Sequence, residues 1–142
     1  MTVNTATARY EGLGKKGKGH VSTGSGALDA QPYGFQTRFE DAAGTNPEEL
    51  IAAAHSSCFT MALSFKLAEA GHKDGRIDTK CSVTLEKDGD GFTVTRSELA
   101  TVAEIAGIDE AGFGRIAEDA KANCPISKLL DTDIALRWEL KR

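Results

Sequence analysis

Two stretches of this 142-residue chain carry residues able to do covalent chemistry. Cys58 lies in the apolar run Leu50-Ile51-Ala52-Ala53-Ala54-His55-Ser56-Ser57-Cys58-Phe59, and Cys124 lies in Ala122-Asn123-Cys124-Pro125-Ile126-Ser127. A thiol reacts as its thiolate, and a second thiol can capture an oxidised sulfur as a disulfide. Two such cysteines therefore point to redox work. Cys124 stands just before a proline, where a helix must break and backbone amides are left free. An unperturbed thiol titrates near ~8.5, so at neutral pH it needs a cation beside it. Arg38, read as lying on a strand with Tyr33, Phe35 and Phe39 nearby, is the candidate cation. Glu48 would orient it through a bidentate pair.

A different chemistry competes for the same residues. His55 and Cys58 are spaced i, i+3 on one helical face, as a chelating pair would be, and Cys124 would make a third ligand. That alternative is a metal-binding protein using His55, Cys58 and Cys124. No fourth ligand is evident, and His55 is otherwise expected to hydrogen-bond locally or to pack at an interface. Cys81 shares its parity with Ile77, Val83 and Leu85 and reads as a core residue. Cys124-Pro125-Ile126-Ser127 has the Cys-Pro-x-Ser form of monothiol redox motifs. Those motifs follow a first strand near the N-terminus, whereas this one sits near the C-terminus.

The elements that must position these residues are marked by caps and periodicity. Thr5 to Tyr10, His20 to Thr23 and Tyr33 to Glu40 read as short strands between glycine turns. Gly12 to Gly26 is glycine-rich and basic but lacks the P-loop pattern, so it reads as a solvated turn between strands. Asn46, Pro47, Glu48 and Glu49 form a helix start, with Glu49 placed as in a capping box, and Gly71 is a suitable stop after Ala70. This helix is apolar nearly all round, which suits a core or a subunit interface. A hairpin follows, turning at Asp88-Gly89-Asp90-Gly91. Asp109 caps a helix reaching about Asn123, a short helix runs to Leu130, and Ile134, Leu136, Trp138 and Leu140 alternate in a last strand. The sum is an α+β domain, a single one over residues 1–142.

Composition bounds the partners. A formal charge of −4 argues against nucleic acid, which selects basic surfaces. No charged n-region precedes an apolar stretch at the N-terminus, and no apolar run approaches the roughly 20 residues of a membrane helix. A reducing cytoplasm is the expected location, and three cysteines make no disulfide framework there.

Gly19-His20-Val21-Ser22-Thr23, Pro32-Tyr33-Gly34-Phe35-Gln36-Thr37-Arg38-Phe39-Glu40, the block from Gly44 through Asn46-Pro47-Glu48-Glu49 to Cys58-Phe59, and Cys124-Pro125-Ile126-Ser127 closely resemble the OsmC branch of the OsmC/Ohr family. The resemblance covers essentially the whole chain. It implies a thiol peroxidase that reduces organic hydroperoxides to alcohols. By the same resemblance Cys58 is the peroxidatic cysteine, Cys124 the resolving one, and Arg38 and Glu48 complete the site. It further implies a Cys58–Cys124 disulfide recycled by an external dithiol, of lipoyl type by family analogy, with no metal, haem or flavin. The implied fold is an intertwined homodimer, with central apolar helices wrapped by antiparallel β-sheets. Phe35, Phe39 and Phe59 would favour an alkyl or aryl peroxide. Glu48 and Cys58 are ten positions apart on one helix, so about 15 Å along its axis. An arginine held by Glu48 is thus expected to serve a cysteine of the partner subunit.

Overall fold

Glycine turns and alternating side chains set the order of elements in the structure, a computed structural model that describes residues 1–142. The chain divides into two units, Met1–Leu50 and Ile51–Arg142.

In the first unit, β1 (Ala6–Glu11), β2 (Lys18–Thr23) and β3 (Gln31–Tyr33) form an antiparallel sheet in that order. Gly19 is required in β2, because a Cβ there would lie 2.7 Å from both the carbonyl oxygen and the ring of Tyr33. The strand expected over Tyr33 to Glu40 does not form. It ends at Tyr33, and α1 (Phe35–Phe39) takes its place, so Arg38 stands on a short helix. The physical reason is local. The Thr37 hydroxyl donates to the Gly34 carbonyl and accepts from the Gly34 N–H, at 3.1 and 2.8 Å. That closes the first turn. Phe35 and Phe39, four positions apart, then pack ring to ring at 5.1 Å.

The long helix α2 (Pro47–Glu69) starts where the caps place it. Asn46 Oδ1 accepts from the Glu49 N–H at 2.8 Å, and Asn46 Nδ2 donates to the Thr37 carbonyl. The Glu49 carboxylate accepts from the Thr45 hydroxyl at 2.8 Å instead of closing the expected capping box. At the other end Gly71 adopts φ 98°, and the His72 N–H reaches back to the Leu67 carbonyl. By length and composition alone this 23-residue helix could cross a membrane, which corrects the sequence reading that no apolar run is long enough. Its charges, Glu48, Glu49, Lys66 and Glu69, lie near its ends.

In the second unit β4 (Arg76–Asp88) and β5 (Gly91–Glu104) pair antiparallel, joined at Gly89, which has the left-handed φ of 61° that a tight hairpin turn needs. Then α3 (Glu110–Asn123), capped by the Asp109 carboxylate on the Gly112 N–H, and α4 (Pro125–Leu129) carry the chain back to β6 (Asp133–Lys141). β6 runs parallel to β5, so this sheet is mixed and not wholly antiparallel as expected. Two intervening helices provide the crossover that a parallel pair requires. His55, Phe59, Leu63 and Leu67 form the buried stripe of α2. Phe59 and Leu63 join Leu99 and Ala103 of β5 and Phe113, Ala117 and Ala120 of α3 in the core. A hydroxyl ladder ties helix to sheet: Thr60 donates to Thr79, which bonds Thr101, each at 2.8 Å.

Phe113 is fully buried and meets Trp138 edge to face at 5.1 Å. Phe113→Ala should cost about 3–5 kcal/mol in denaturant unfolding, from lost burial and the cavity left behind.

Candidate active site

The second unit brings Cys58 and Cys124 together. Both are free thiols, Cys58 half-buried and Cys124 fully buried. Pro125 creates the meeting point. It forbids helical geometry at Cys124, which takes φ −63° and ψ 137° and becomes at once the last cap of α3 and the N-cap of α4. The first amides of α4 then have no helical partner. The Ile126 N–H is near enough to the Cys58 sulfur to favour its thiolate. The Ser127 N–H bonds Cys124 Sγ at 3.3 Å. The Cys124 side chain lies near enough to Cys58 to push the Cys58 thiol upward. The start of α4 thus sets backbone amides beside both sulfurs.

Burial pushes the Cys58 thiol above its ordinary value. The Ile126 amide pulls it down, and the contact with Cys124 raises it further. Burial outweighs the Ile126 amide, so the net direction for Cys58 is upward.

His55 has a role the sequence did not disclose. It is fully buried, and both ring nitrogens bond hydroxyls: Nδ1 with Ser97 Oγ at 2.6 Å and Nε2 with Ser127 Oγ at 2.8 Å. Ser127 Oγ lies 3.1 Å from Cys124 Sγ, and Ser97 Oγ lies 3.2 Å from Cys81 Sγ. Ser97 and Ser127 are 42 and 72 positions from His55, so no local pattern could have joined them. The one legible signal was a histidine inside an apolar run, which requires buried partners. With both nitrogens engaged, His55 is no free metal ligand, and no three His, Cys, Asp or Glu side chains gather as a metal site. Cys81 is half-buried against the core, as its parity suggested, and it also touches the Ser97 hydroxyl.

In the first unit Arg38 and Glu48 pair as the sequence suggested. Arg38 Nε and Nη2 donate to the two Glu48 carboxylate oxygens at 2.8 and 2.9 Å. This fork fixes the guanidinium plane and leaves its remaining donors free to bind an oxygen. A cavity of about 310 Å³ adjoins it, lined by Tyr10, Tyr33, Phe35, Arg38, Phe39 and Pro47 among others. The lining is aromatic with one cation, suited to an apolar molecule with a polar head. Phe59, expected beside Phe35 and Phe39 in a substrate pocket, is instead fully buried in the core of the second unit. The i, i+4 stripe from His55 to Leu67 carries it inward.

Comparison with known proteins gives a consistent result. The family model of OsmC-like proteins matches residues 40–139. The Escherichia coli K12 protein named peroxiredoxin OsmC is 52% identical over 142 residues, 99% of each chain. The organic hydroperoxide resistance protein OhrB of Bacillus subtilis is 27% identical over 124 residues, 87% of this chain and 89% of its own. Its crystal structure superposes with a TM-score of 0.70, covering 99% of this chain and 98% of that one. An OsmC-like protein of Vibrio cholerae, 15% identical, matches in fold with a TM-score of 0.77 over 97% of this chain and 99% of its own.

Burial also holds the His55 imidazole below its ordinary value of 6.5. The unfolded chain takes up this proton first as pH falls, so the folded state loses stability from about pH 6.5 downward and keeps its full contribution above it. Between about pH 5 and 6.5 the melting temperature of the wild type should fall more steeply than that of His55→Gln. Parallel slopes would overturn this assignment.

Proposed function

The chain belongs to the family of OsmC-like proteins, and on that premise we propose that it is a cysteine-based peroxidase that reduces organic hydroperoxides to alcohols. The observation that carries this reading is the pair of free thiols, Cys58 and Cys124, close enough for Cys124 to perturb Cys58, beside the helix start that puts the Ser127 N–H on Cys124 Sγ. The names of the relatives, a peroxiredoxin and an organic hydroperoxide resistance protein, point the same way.

In this mechanism the Cys58 thiolate attacks the outer peroxide oxygen. The O–O bond breaks, the alkoxide leaves and takes up a proton, and Cys58 becomes a sulfenic acid. Arg38, held in plane by Glu48, stabilises the thiolate and the negative charge that grows on the peroxide oxygens. The aromatic cavity beside it takes the organic tail. Cys124 then condenses with the sulfenic sulfur, water leaves, and an external dithiol reduces the disulfide by exchange. That reductant is of lipoyl type in this reading.

The working form is a homodimer. Met61 and Phe65 of α2 are 60% and 64% exposed in the single chain, on a helix whose other face is packed. Large apolar side chains in such a position suit burial against a second copy of the same helix. α2 runs unbroken from Pro47 to Glu69. Ten positions then separate Glu48 from Cys58 by roughly 15 Å along the axis. The cation for Cys58 is therefore Arg38 of the partner subunit.

Two experiments test these statements. Cys58→Ser should abolish reduction of cumene hydroperoxide, whereas Cys124→Ser should give one turnover and a trapped sulfenic acid. Mass spectrometry of the wild type after one equivalent of peroxide should find the Cys58–Cys124 bridge, and a bridge through Cys81 would overturn the assignment. Separately, chains carrying Cys58→Ser and Arg38→Ala, each nearly inactive alone, should regain one intact site per hybrid when co-expressed with two tags. Purified hybrids without activity would rule out a site shared between subunits.

A further inference from the structure

Cys124 must lose a proton when it closes a disulfide, and it is fully buried. The Ser127 hydroxyl, 3.1 Å from Cys124 Sγ, is in turn 2.8 Å from His55 Nε2. We propose that Ser127 and His55 form a proton relay that serves Cys124 while it attacks the Cys58 sulfenic acid. The inference rests on the assignment of Cys58 as the attacking and Cys124 as the resolving thiol.

Hydrogen-bond bookkeeping gives the relay its direction. A hydroxyl has one proton to donate. If His55 Nε2 is the acceptor nitrogen, the Ser127 O–H points at it, and the Ser127 oxygen is free to accept from the Cys124 S–H. His55 Nδ1–H then donates to Ser97 Oγ, and the Ser97 O–H points at Cys81 Sγ, 3.2 Å away. Each donor from Cys124 through Ser127 and His55 to Ser97 is used once, and Cys81 Sγ is the last acceptor. With Nε2 protonated the near half reverses. Nε2–H donates to Ser127 Oγ, and the Ser127 O–H turns to Cys124 Sγ. The Cys124 thiolate then has two donors, this hydroxyl and the Ser127 backbone N–H at 3.3 Å. One arrangement accepts the proton, and the other holds the thiolate left behind.

Burial supports the first arrangement at rest, because it keeps the imidazole neutral and its lone pair available. Both nitrogens bond hydroxyls, so no carboxylate competes for the proton. The titratable neighbours are the Cys81 thiol on β4, whose Sγ is 3.9 Å from Nδ1, and Cys124 beyond Ser127.

The step balances. The Cys124 proton passes to Ser127 Oγ as the Ser127 proton passes to His55 Nε2. The Cys124 sulfur attacks the Cys58 sulfur, the S–S bond forms and the S–O bond breaks. The hydroxide that leaves takes up the proton that His55 received from Cys124 through Ser127, so water forms and His55 is neutral again. Cys58 sulfur is reduced from the sulfenic level, Cys124 sulfur is oxidised, and water is the product. Ser127 touches the reacting sulfur and is a catalytic residue in this scheme. His55 acts through it as a positioning residue and proton acceptor.

Single-turnover kinetics on the full chain separate the two steps. One equivalent of cumene hydroperoxide is mixed with reduced protein. Sulfenic acid is trapped with a dimedone-type probe, and the Cys58–Cys124 disulfide is followed by quenched mass spectrometry. His55→Gln keeps an amide able to hydrogen-bond but unable to take a proton, and Ser127→Ala removes the hydroxyl while keeping the backbone N–H. Both should form sulfenic acid at wild-type speed and close the disulfide at least tenfold more slowly, within the range of general base catalysis. Ser127→Thr, which restores a hydroxyl, should recover most of that loss. Disulfide closure at wild-type speed in Ser127→Ala overturns the relay. So does equal slowing of both steps together with a lowered melting temperature, which marks a structural role alone. A wild type that forms sulfenic acid but no Cys58–Cys124 disulfide overturns the thiol assignment itself, and the relay with it.

Discussion

The Cys124–Pro125 peptide unit is the constraint on which the site turns. A proline cannot donate a backbone hydrogen bond, and it keeps the residue before it out of helical geometry. α3 must therefore end at Asn123, and α4 must begin afresh at Pro125. A new helix start means new unpaired amides. That of Ser127 is satisfied by Cys124 sulfur and not by the usual oxygen cap, and that of Ile126 faces Cys58. Had the helix continued, the same amides would have bonded carbonyls one turn earlier, and neither sulfur would have had a donor. The break also turns Ser127 inward, to 8% exposure, where its hydroxyl meets both His55 and Cys124.

That inward hydroxyl explains why a histidine is tolerated in the core. An unpaired buried imidazole would cost several kcal/mol, by the general price of burying polar groups without partners. His55 avoids the cost through two short hydrogen bonds, one to β5 and one to α4. No buried side-chain nitrogen or oxygen of the chain lacks a partner. The ring therefore ties three elements together: α2 that carries it, the central strand of the sheet, and the short helix behind Cys124. Cys58 stands one position from Phe59, which is on the same buried stripe as His55, so packing of that stripe also fixes the thiol.

Much of this was legible in the sequence, for reasons that are local. Asn46-Pro47 and Gly71 mark α2 because cap chemistry needs only neighbouring residues. Asp88-Gly89-Asp90-Gly91 marks the hairpin because a tight turn needs glycine at a left-handed position. Arg38 and Glu48 were paired because a bidentate fork is specific chemistry. The errors are equally physical. Tyr33 to Glu40 holds β-forming residues, yet two reciprocal hydrogen bonds between Thr37 and Gly34 and a phenylalanine pair at helical spacing settle α1. Phe59 looked like pocket lining because its position on the helix circumference was not set against a packed neighbour. Ser97 and Ser127 were invisible because serine carries no pattern of its own, and their meeting at His55 depends on the tertiary fold.

The electrostatics divide the chemistry between the two thiols. The environment of Cys58 raises its pKa, mainly by burial and in part through Cys124. A thiol with a high pKa is a strong nucleophile once ionised, but it is seldom ionised at neutral pH. A cation placed by substrate or subunit contact changes the ionised fraction without lowering the apolar character of the surroundings. In the proposed mechanism that cation is Arg38, of whose donors Glu48 takes only two, holding the rest in a fixed plane. Cys124 has the opposite situation. It is sealed from solvent, so no mobile base or cation can reach it, and its proton has to leave along fixed partners. The Ser127 and His55 contacts are such partners.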